Sequence, residues 1–231
     1  MLDFVRAWVF CGIGLILLHG SRTQSIERAE KAFLRSIASD SKCVKALFGL
    51  GFAQYRLGRC QQAVVNLEHY VEKRQTDARG LFQLAKLYAS LSEPMQAKVL
   101  LERARNLSSN SAIEHNLGLA YEDLGMFDEA LECYIRGAQF RNPSPYVYLR
   151  LGYLLNKRAD YSEATEAYKN CLRIDPNLLF AHIGLGHSYV KMGEYDKGRR
   201  AYQIATVLDP ESSQAREGFV FAEARLENDQ D

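Results

Sequence analysis

The 231-residue sequence has few prolines and almost no net charge. Its 29 basic and 28 acidic residues nearly cancel, which argues against a general nucleic-acid binder, because such proteins carry a strong basic excess. Hydrophobic residues make up 47% of the chain and charged residues 25%, so wholesale disorder is excluded and a core can be buried. With only 5 prolines in the whole sequence, we expect long helices with few breaks.

Motifs that carry catalysis or bind metals are also missing. There is no H-E-x-x-H, no G-x-S-x-G and no glycine-rich phosphate loop, and the nearest histidine pair, His182 and His187, does not have the i, i+4 spacing of a zinc site. The five cysteines are odd in number and include no C-x-x-C, which argues against a zinc finger or a disulfide framework. We therefore predict a protein that is not an enzyme and uses no cofactor or metal, with free cysteines in a reducing compartment.

What the sequence does contain is an internal repeat with a period of 33 or 34 residues. A small residue recurs at this spacing, a large apolar residue follows it four positions later, and a leucine, usually followed by glycine, marks the first half of each period. Such self-similarity is the signature of a repeat architecture. The recurring small residues are Ala29, Ala63, Ala97, Ala130, Ala164 and Gly198.

Each period predicts two amphipathic helices joined by a short turn. In one period, Ile113, Leu117 and Tyr121 lie at helical spacing and form one apolar face. Gly125 is expected to end that helix in a left-handed conformation. The small residue and the ring that follows it, as at Ala130, predict a close approach of neighbouring helices.

These features resemble the tetratricopeptide repeat, most clearly in Leu151-Gly152, Tyr161-x-x-Ala164-x-x-x-Tyr168 and Asp175-Pro176. The resemblance implies an all-α fold, a right-handed α-solenoid superhelix of helix-turn-helix repeats. The predicted organisation is an apolar N-terminal segment over residues 1–24, a half repeat over 25–43, five tetratricopeptide repeats over 44–212, and a capping helix with an acidic tail over 213–231.

The N-terminal segment allows three interpretations. Its uncharged run over residues 7–18 is shorter than the roughly 20 apolar residues of a spanning helix. The run has the length of a signal-peptide core, although Leu18-His19-Gly20 is a poor cleavage site. It is therefore expected to be a helix packed on the half repeat through Ile13 and Ile16, a short membrane anchor over residues 5–18, or a cleaved signal.

The resemblance implies a non-catalytic adaptor or scaffold for protein–protein interaction in the cytoplasm or nucleus, with membrane association as the alternative. Its partner is expected to be a peptide or helix of another protein, bound in a concave groove, and not a nucleic acid. In this family the first helices of the repeats line that groove. Matching their positions predicts a groove formed by Lys45, Phe48, Phe52, Tyr55, Phe82, Lys86, Asn116, Tyr146, Arg150, Tyr153 and His187.

Two other functions remain open at this point. One is a membrane-attached or exported assembly factor, anchored by the N-terminal run. The other is a co-chaperone that binds the acidic C-terminal tails of heat-shock chaperones through a carboxylate clamp. For that clamp Asn116 and Arg150 match the family pattern and Lys86 is a nearby charge, but Phe82 and Tyr146 stand where lysines are needed.

Overall fold

The computed structural model describes residues 2–20 and 22–228, and within these ranges the chain forms thirteen α-helices and no strand. The predicted fold class, an all-α solenoid of repeated helix pairs, is confirmed. Residues 229–231 of the predicted acidic tail lie outside the described residues. The helices are α1 (Leu2–Leu18), α2 (Thr23–Ser39), α3 (Val44–Arg56), α4 (Cys60–Lys73), α5 (Ala78–Ser90), α6 (Pro94–Leu107), α7 (Ser111–Asp123), α8 (Phe127–Ala138), α9 (Pro145–Lys157), α10 (Tyr161–Ile174), α11 (Leu179–Lys191), α12 (Tyr195–Leu208) and α13 (Ser213–Asn228).

The helices group into two compact units that divide between Ser109 and Asn110. Unit 1 contains α1 to α6, and unit 2 contains α7 to α13. Within each unit every helix packs on the next one along the chain, and each odd-numbered helix also contacts the next odd-numbered helix. In unit 2, α7, α9, α11 and α13 therefore form one continuous row.

The glycines of the repeat pattern make room for the recurring rings. The ring of Tyr168 lies between two glycines: a Cβ added at Gly152 would stand 2.8 Å from it, and one at Gly184 only 2.3 Å. Tyr202 lies between Gly186 and Gly218 in the same way, and Tyr134 meets Gly118. All three rings are buried, so in unit 2 a ring from each of α8, α10 and α12 fills the gap left by glycine in a neighbouring odd-numbered helix.

The turn inside a repeat has the left-handed residue that the sequence predicts. Gly125 has φ +74°, and Gly58 and Gly193 have φ of +75° and +77° at equivalent places. Two repeats use a different residue there, Ser92 at φ 60° and Ala159 at φ 65°. Because a side chain in this region clashes with its own backbone, these two turns are under strain.

Helix α1 packs on α2 through its smallest side chains. Ala7 and Cys11 are buried, and a Cβ added at Gly14 would stand 2.7 Å from the ring of Phe33. The Ser36 hydroxyl of α2 donates a hydrogen bond of 2.8 Å to the carbonyl of Ala7. The two helices therefore approach closely along a face that large side chains could not occupy.

The expected packing through Ile13 and Ile16 is wrong, since both are exposed and Ile16 keeps 73% of its surface in solvent. The close approach to α2 selects the small face of the helix and turns Ile13 and Ile16 outward, whereas Leu17 and Leu18 pack partly against the core. Across residues 2–20 and 22–228, no helix has both the length and the hydropathy needed to cross a bilayer.

Candidate functional site

Unit 2 contains a cavity of about 1180 Å³ along the row formed by α9, α11 and α13. It opens to solvent, and most of the surface that lines it is apolar. Three of its largest apolar side chains come from three different helices, so the packing of the row creates it. They are Tyr153 of α9, Phe180 of α11 and Phe221 of α13.

These aromatic side chains are exposed to solvent at the walls of the cavity and are not buried beneath it. Phe180 is 63% exposed, and Tyr153 and Phe221 are exposed as well. Gly184 and Gly218 also line the cavity, where the rings of Tyr168 and Tyr202 pack closely against them. The exposed rings thus border an open apolar space, which is the usual character of a binding site.

Two lysines add positive charge to this cavity. The ammonium group of Lys157 lies 4.8 Å from the ring centre of Tyr153 and 5.1 Å from that of Phe127. Lys191 lines the cavity on the next helix of the row. In the part of the chain that the structure describes, no carboxylate lies within ion-pair distance of Lys157 or Lys191. Both charges are therefore available to acidic groups of a ligand.

Arg150, by contrast, is already paired. Its Nε donates to Glu122 at 2.9 Å, and Nη2 donates to the second oxygen of the same carboxylate. The Tyr134 hydroxyl donates to Glu122 as well, at 2.6 Å. Although burial alone would lower the pKa of Arg150, its hydrogen bonds to Glu122 raise it. The guanidinium lies 5.0 Å from the ring centre of Tyr153, so Arg150 supports that ring while its charge is neutralised.

Two histidines near the row are neutral at pH 7. His115 lies 6.1 Å from the ring centre of Tyr134 and 6.2 Å from that of Tyr146. Burial, and after it the positive charge of Arg150, lowers the pKa of His115 to about 4. Burial also lowers the pKa of His187, which lines the cavity. Both rings therefore act as uncharged aromatic surface.

Of the predicted groove residues in unit 2, the fold brings Arg150, Tyr153 and His187 to this cavity. Asn116 and Tyr146 lie outside it. The Asn116 amide donates to the carbonyl of Ala112 at 2.8 Å, within its own helix. Tyr146 is exposed on the first turn of α9.

Unit 1 carries the other predicted residues on α3 and α5, which contact each other. Phe48 is partly used in internal packing, since its ring centre lies 5.1 Å from that of Tyr70. The ammonium group of Lys86 lies 5.9 Å from the ring centre of Phe82. These predicted residues of unit 1 are Lys45, Phe48, Phe52, Tyr55, Phe82 and Lys86.

The wall that α13 contributes was not predicted, because the sequence indicated only a capping helix there. The signal was available in the repeat period. Each α13 residue that lines the cavity follows a residue of α11 by 34 positions. The four pairs are Phe180 and Gln214, Ile183 and Glu217, Gly184 and Gly218, and His187 and Phe221.

The cysteines are free thiols, and three of them are buried. Burial raises the pKa of Cys11 and of Cys171 to about 11. A thiol with such a pKa is almost entirely protonated at neutral pH and is a poor nucleophile. Over the described ranges, no three histidine, cysteine, aspartate or glutamate side chains are grouped so that they could hold a metal ion.

Two family models described as Tetratricopeptide repeat match the chain, one over residues 115–141 and 145–178 and the other over residues 21–68 and 183–228. A curated relative, TPR repeat-containing protein MJ1428 of Methanocaldococcus jannaschii, is 38% identical over 57 residues. That match covers 25% of this chain and 10% of the relative. The matched segment thus spans only a tenth of that protein's length.

Solved structures with this fold include pilF of Pseudomonas aeruginosa, with a TM-score of 0.79 and 16% identity over 94% of this chain and 98% of that one. YrrB, described as a TPR protein with an unusual peptide-binding site, has a TM-score of 0.68 and 16% identity over 81% of this chain and 97% of that one. MamA from AMB-1 has a TM-score of 0.63 and 26% identity over 75% of this chain and 96% of that one. The repeat period, the paired helices and these matches show that the chain belongs to the tetratricopeptide-repeat family, whose members generally act as scaffolds for protein–protein interaction.

Proposed function

We propose that the chain is a non-catalytic adaptor and that the cavity of unit 2 binds a peptide or helix of a partner protein. The observation that carries this proposal is the combination, in one open cavity, of exposed aromatic rings with two lysines that have no carboxylate partner among the described residues. Because helices already hold these side chains in place, binding would require little ordering of the receptor.

The chemistry of the cavity favours a ligand with both apolar and acidic side chains. Phe180 and Phe221 offer apolar surface from α11 and α13, and burying such rings is a main source of binding energy at interfaces. Lys157 and Lys191 would pair with carboxylates that flank the apolar side chain. A basic ligand would instead meet these two like charges, which disfavours it, and Glu217 of α13 offsets only part of them.

The two other functions have less support. The carboxylate clamp requires side chains that are free to receive a terminal carboxylate, but Arg150 is paired with Glu122 and the amide of Asn116 is bonded to Ala112. The membrane-attached or exported assembly factor relies on the N-terminal run, and no helix among the described residues is long and apolar enough to cross a bilayer. We therefore favour the adaptor.

Selection of random peptides displayed on phage against the immobilised full-length chain tests the proposal. The enriched peptides are expected to combine aromatic or aliphatic residues with acidic ones. In fluorescence anisotropy, Phe180→Ser and Lys191→Glu should each weaken their binding by about tenfold or more, equivalent to about 1.4 kcal/mol.

Val65→Ser and Lys73→Glu on α4 are the matched controls, because both residues are exposed and neither lines the cavity. They should leave the dissociation constant unchanged. Peptides that bind the Phe180→Ser and Lys191→Glu variants as tightly as the wild type would show that the cavity is not the binding site.

A further inference from the structure

The outward face of α1 carries an unusual amount of exposed apolar surface. Val5, Trp8, Val9, Leu15 and Ile16, hereafter the α1 stripe, are all exposed, and Trp8 and Ile16 each keep 73% of their surface in solvent. Their spacing places them on one side of the helix, opposite the small side chains that pack on α2. Such a stripe is the pattern of a helix face that packs against another helix.

The area of this surface matches a protein–protein interface. Together with the flanking Phe4 and Ile13, the α1 stripe exposes on the order of 700 Å², whereas the largest apolar patch of a typical monomer is about 300–600 Å². A standard interface buries about 800 Å² on each partner. The α1 stripe and these two flanking residues together thus expose nearly the area that one side of a stable dimer needs.

A glycine lies in the middle of the α1 stripe. A Cβ added at Gly12 would meet nothing within 4 Å, so this position faces open space. A glycine lowers the helix surface and lets a second helix cross close to the backbone. The stripe therefore has large side chains at both ends and a notch between them.

The charge of α1 favours a second copy of the same chain over a lipid surface. Its only charged side chains, Asp3 and Arg6, are opposite in sign and lie 3.9 Å apart. Helices that bind membrane surfaces carry clusters of lysine and arginine on their polar face, and α1 has none. An apolar face without net charge is complementary to itself, as a two-fold interface requires.

We propose that the α1 stripe forms a two-fold interface with the α1 stripe of a second copy, so that the chain is a homodimer. Trp8 and Ile16 form the core of this interface, and the helices cross at Gly12. The cavity of unit 2 takes no part in it, so the dimer and the proposed peptide binding succeed or fail separately.

Light scattering and fluorescence of the full-length chain test this proposal together. The mass in solution should approach twice the 26.2 kDa of one chain as the concentration rises. Trp8 is the only tryptophan of the chain, so its emission reports directly on the stripe. Over the same concentrations, the emission should shift to shorter wavelength and quenching by iodide should fall.

Two variants keep Trp8 as the probe. Ile16→Ser removes exposed apolar surface, and Gly12→Leu fills the notch at a position where an added Cβ meets no atom within 4 Å. Each should raise the dissociation constant of the dimer by about tenfold or more and leave the circular dichroism spectrum unchanged. Val65→Ser, at an exposed valine on α4, should leave the mass unchanged.

Three results would overturn the proposal. The first is a monomer at every concentration tested, and the second is a dimer that Ile16→Ser and Gly12→Leu do not weaken. The third is a monomer whose Trp8 emission shifts only when phosphatidylcholine vesicles are added, which would make a lipid surface the occupant of the stripe.

Discussion

Replacing Glu122 by alanine should destabilise the protein strongly, because one buried carboxylate holds two other side chains. Glu122 is only 7% exposed and accepts hydrogen bonds from Arg150 and from Tyr134. The alanine variant leaves a partly buried guanidinium without its counter-charge and a buried hydroxyl without its acceptor. The loss in free energy of unfolding is therefore larger than the contribution of a single ion pair at the surface.

The magnitude follows from the burial of the pair. Removing one partner of a buried ion pair typically costs about 3–5 kcal/mol. The Arg150 side chain keeps 34% of its surface in solvent, which relieves part of this penalty and places the pair at the lower end of that range. We expect Glu122→Ala to lower the free energy of unfolding by about 3 kcal/mol, and Glu122→Gln to lower it less, since an amide oxygen still accepts a hydrogen bond.

Urea denaturation followed by circular dichroism measures this loss, with Asp128→Ala as the matched control. Asp128 also pairs with an arginine, Arg158, at 3.0 Å, but its carboxylate is 88% exposed. Exposed pairs contribute about 0–1 kcal/mol, so the control should change little. If Glu122→Ala lowers the free energy of unfolding no more than Asp128→Ala does, the contacts of Glu122 with Arg150 and Tyr134 do not stabilise unit 2. Arg150 would then be effectively a free cation.

Three further predictions concern the turns, the pH dependence and the thiols. Ala159 has φ +65° and Gly125 has φ +74°, a region of the backbone that favours glycine. Ala159→Gly should therefore raise the free energy of unfolding by about 0.5–1 kcal/mol, and Gly125→Ala should lower it by about 1 kcal/mol. Changes of the opposite sign in urea denaturation would contradict the proposed backbone strain at these turns. Burial lowers the pKa of His115 to about 4, below the value of about 6.5 in the unfolded chain. The unfolded chain therefore takes up this proton first, and the contribution of His115 to stability, full above about pH 6.5, is lost as the pH falls to about 4. Between about pH 7 and pH 5 the wild type should lose more stability than His115→Gln, by up to about 2 kcal/mol, and equal losses would contradict a buried neutral imidazole. Burial raises the pKa of Cys11 and Cys171 to about 11, so iodoacetamide should modify both much more slowly in the folded chain than in urea, as mass spectrometry can show; equal rates would contradict their burial.

The helices and their turns could be predicted from the sequence because the signals for them are local. Apolar spacing within a helix and a glycine at its end depend on residues a few positions apart, and the left-handed conformation of Gly125 was predicted in this way. The repeat also predicted a close approach of neighbouring helices at the small residue and the ring that follows it, whereas the contact of rings such as Tyr168 with glycines came from the structure.

The candidate site could be predicted only in part. Family positions led to Tyr153 and His187, but the wall formed by α13 was missed because that helix was interpreted as a cap. Extending the period by one more step would have pointed to Phe221. The orientation of α1 could not be predicted in this way, because its small and its large faces are both apolar and hydrophobic periodicity does not distinguish them.

The sequence by itself determined the repeat family and the helix pairs, since a periodic pattern needs no knowledge of distant contacts. Only the tertiary structure decided which charges are free. In the sequence, Arg150 and Lys191 are both simply basic residues on first helices. Folding brings a carboxylate from 28 positions away against Arg150 and none of the described carboxylates against Lys191, because helix packing determines which side chains meet.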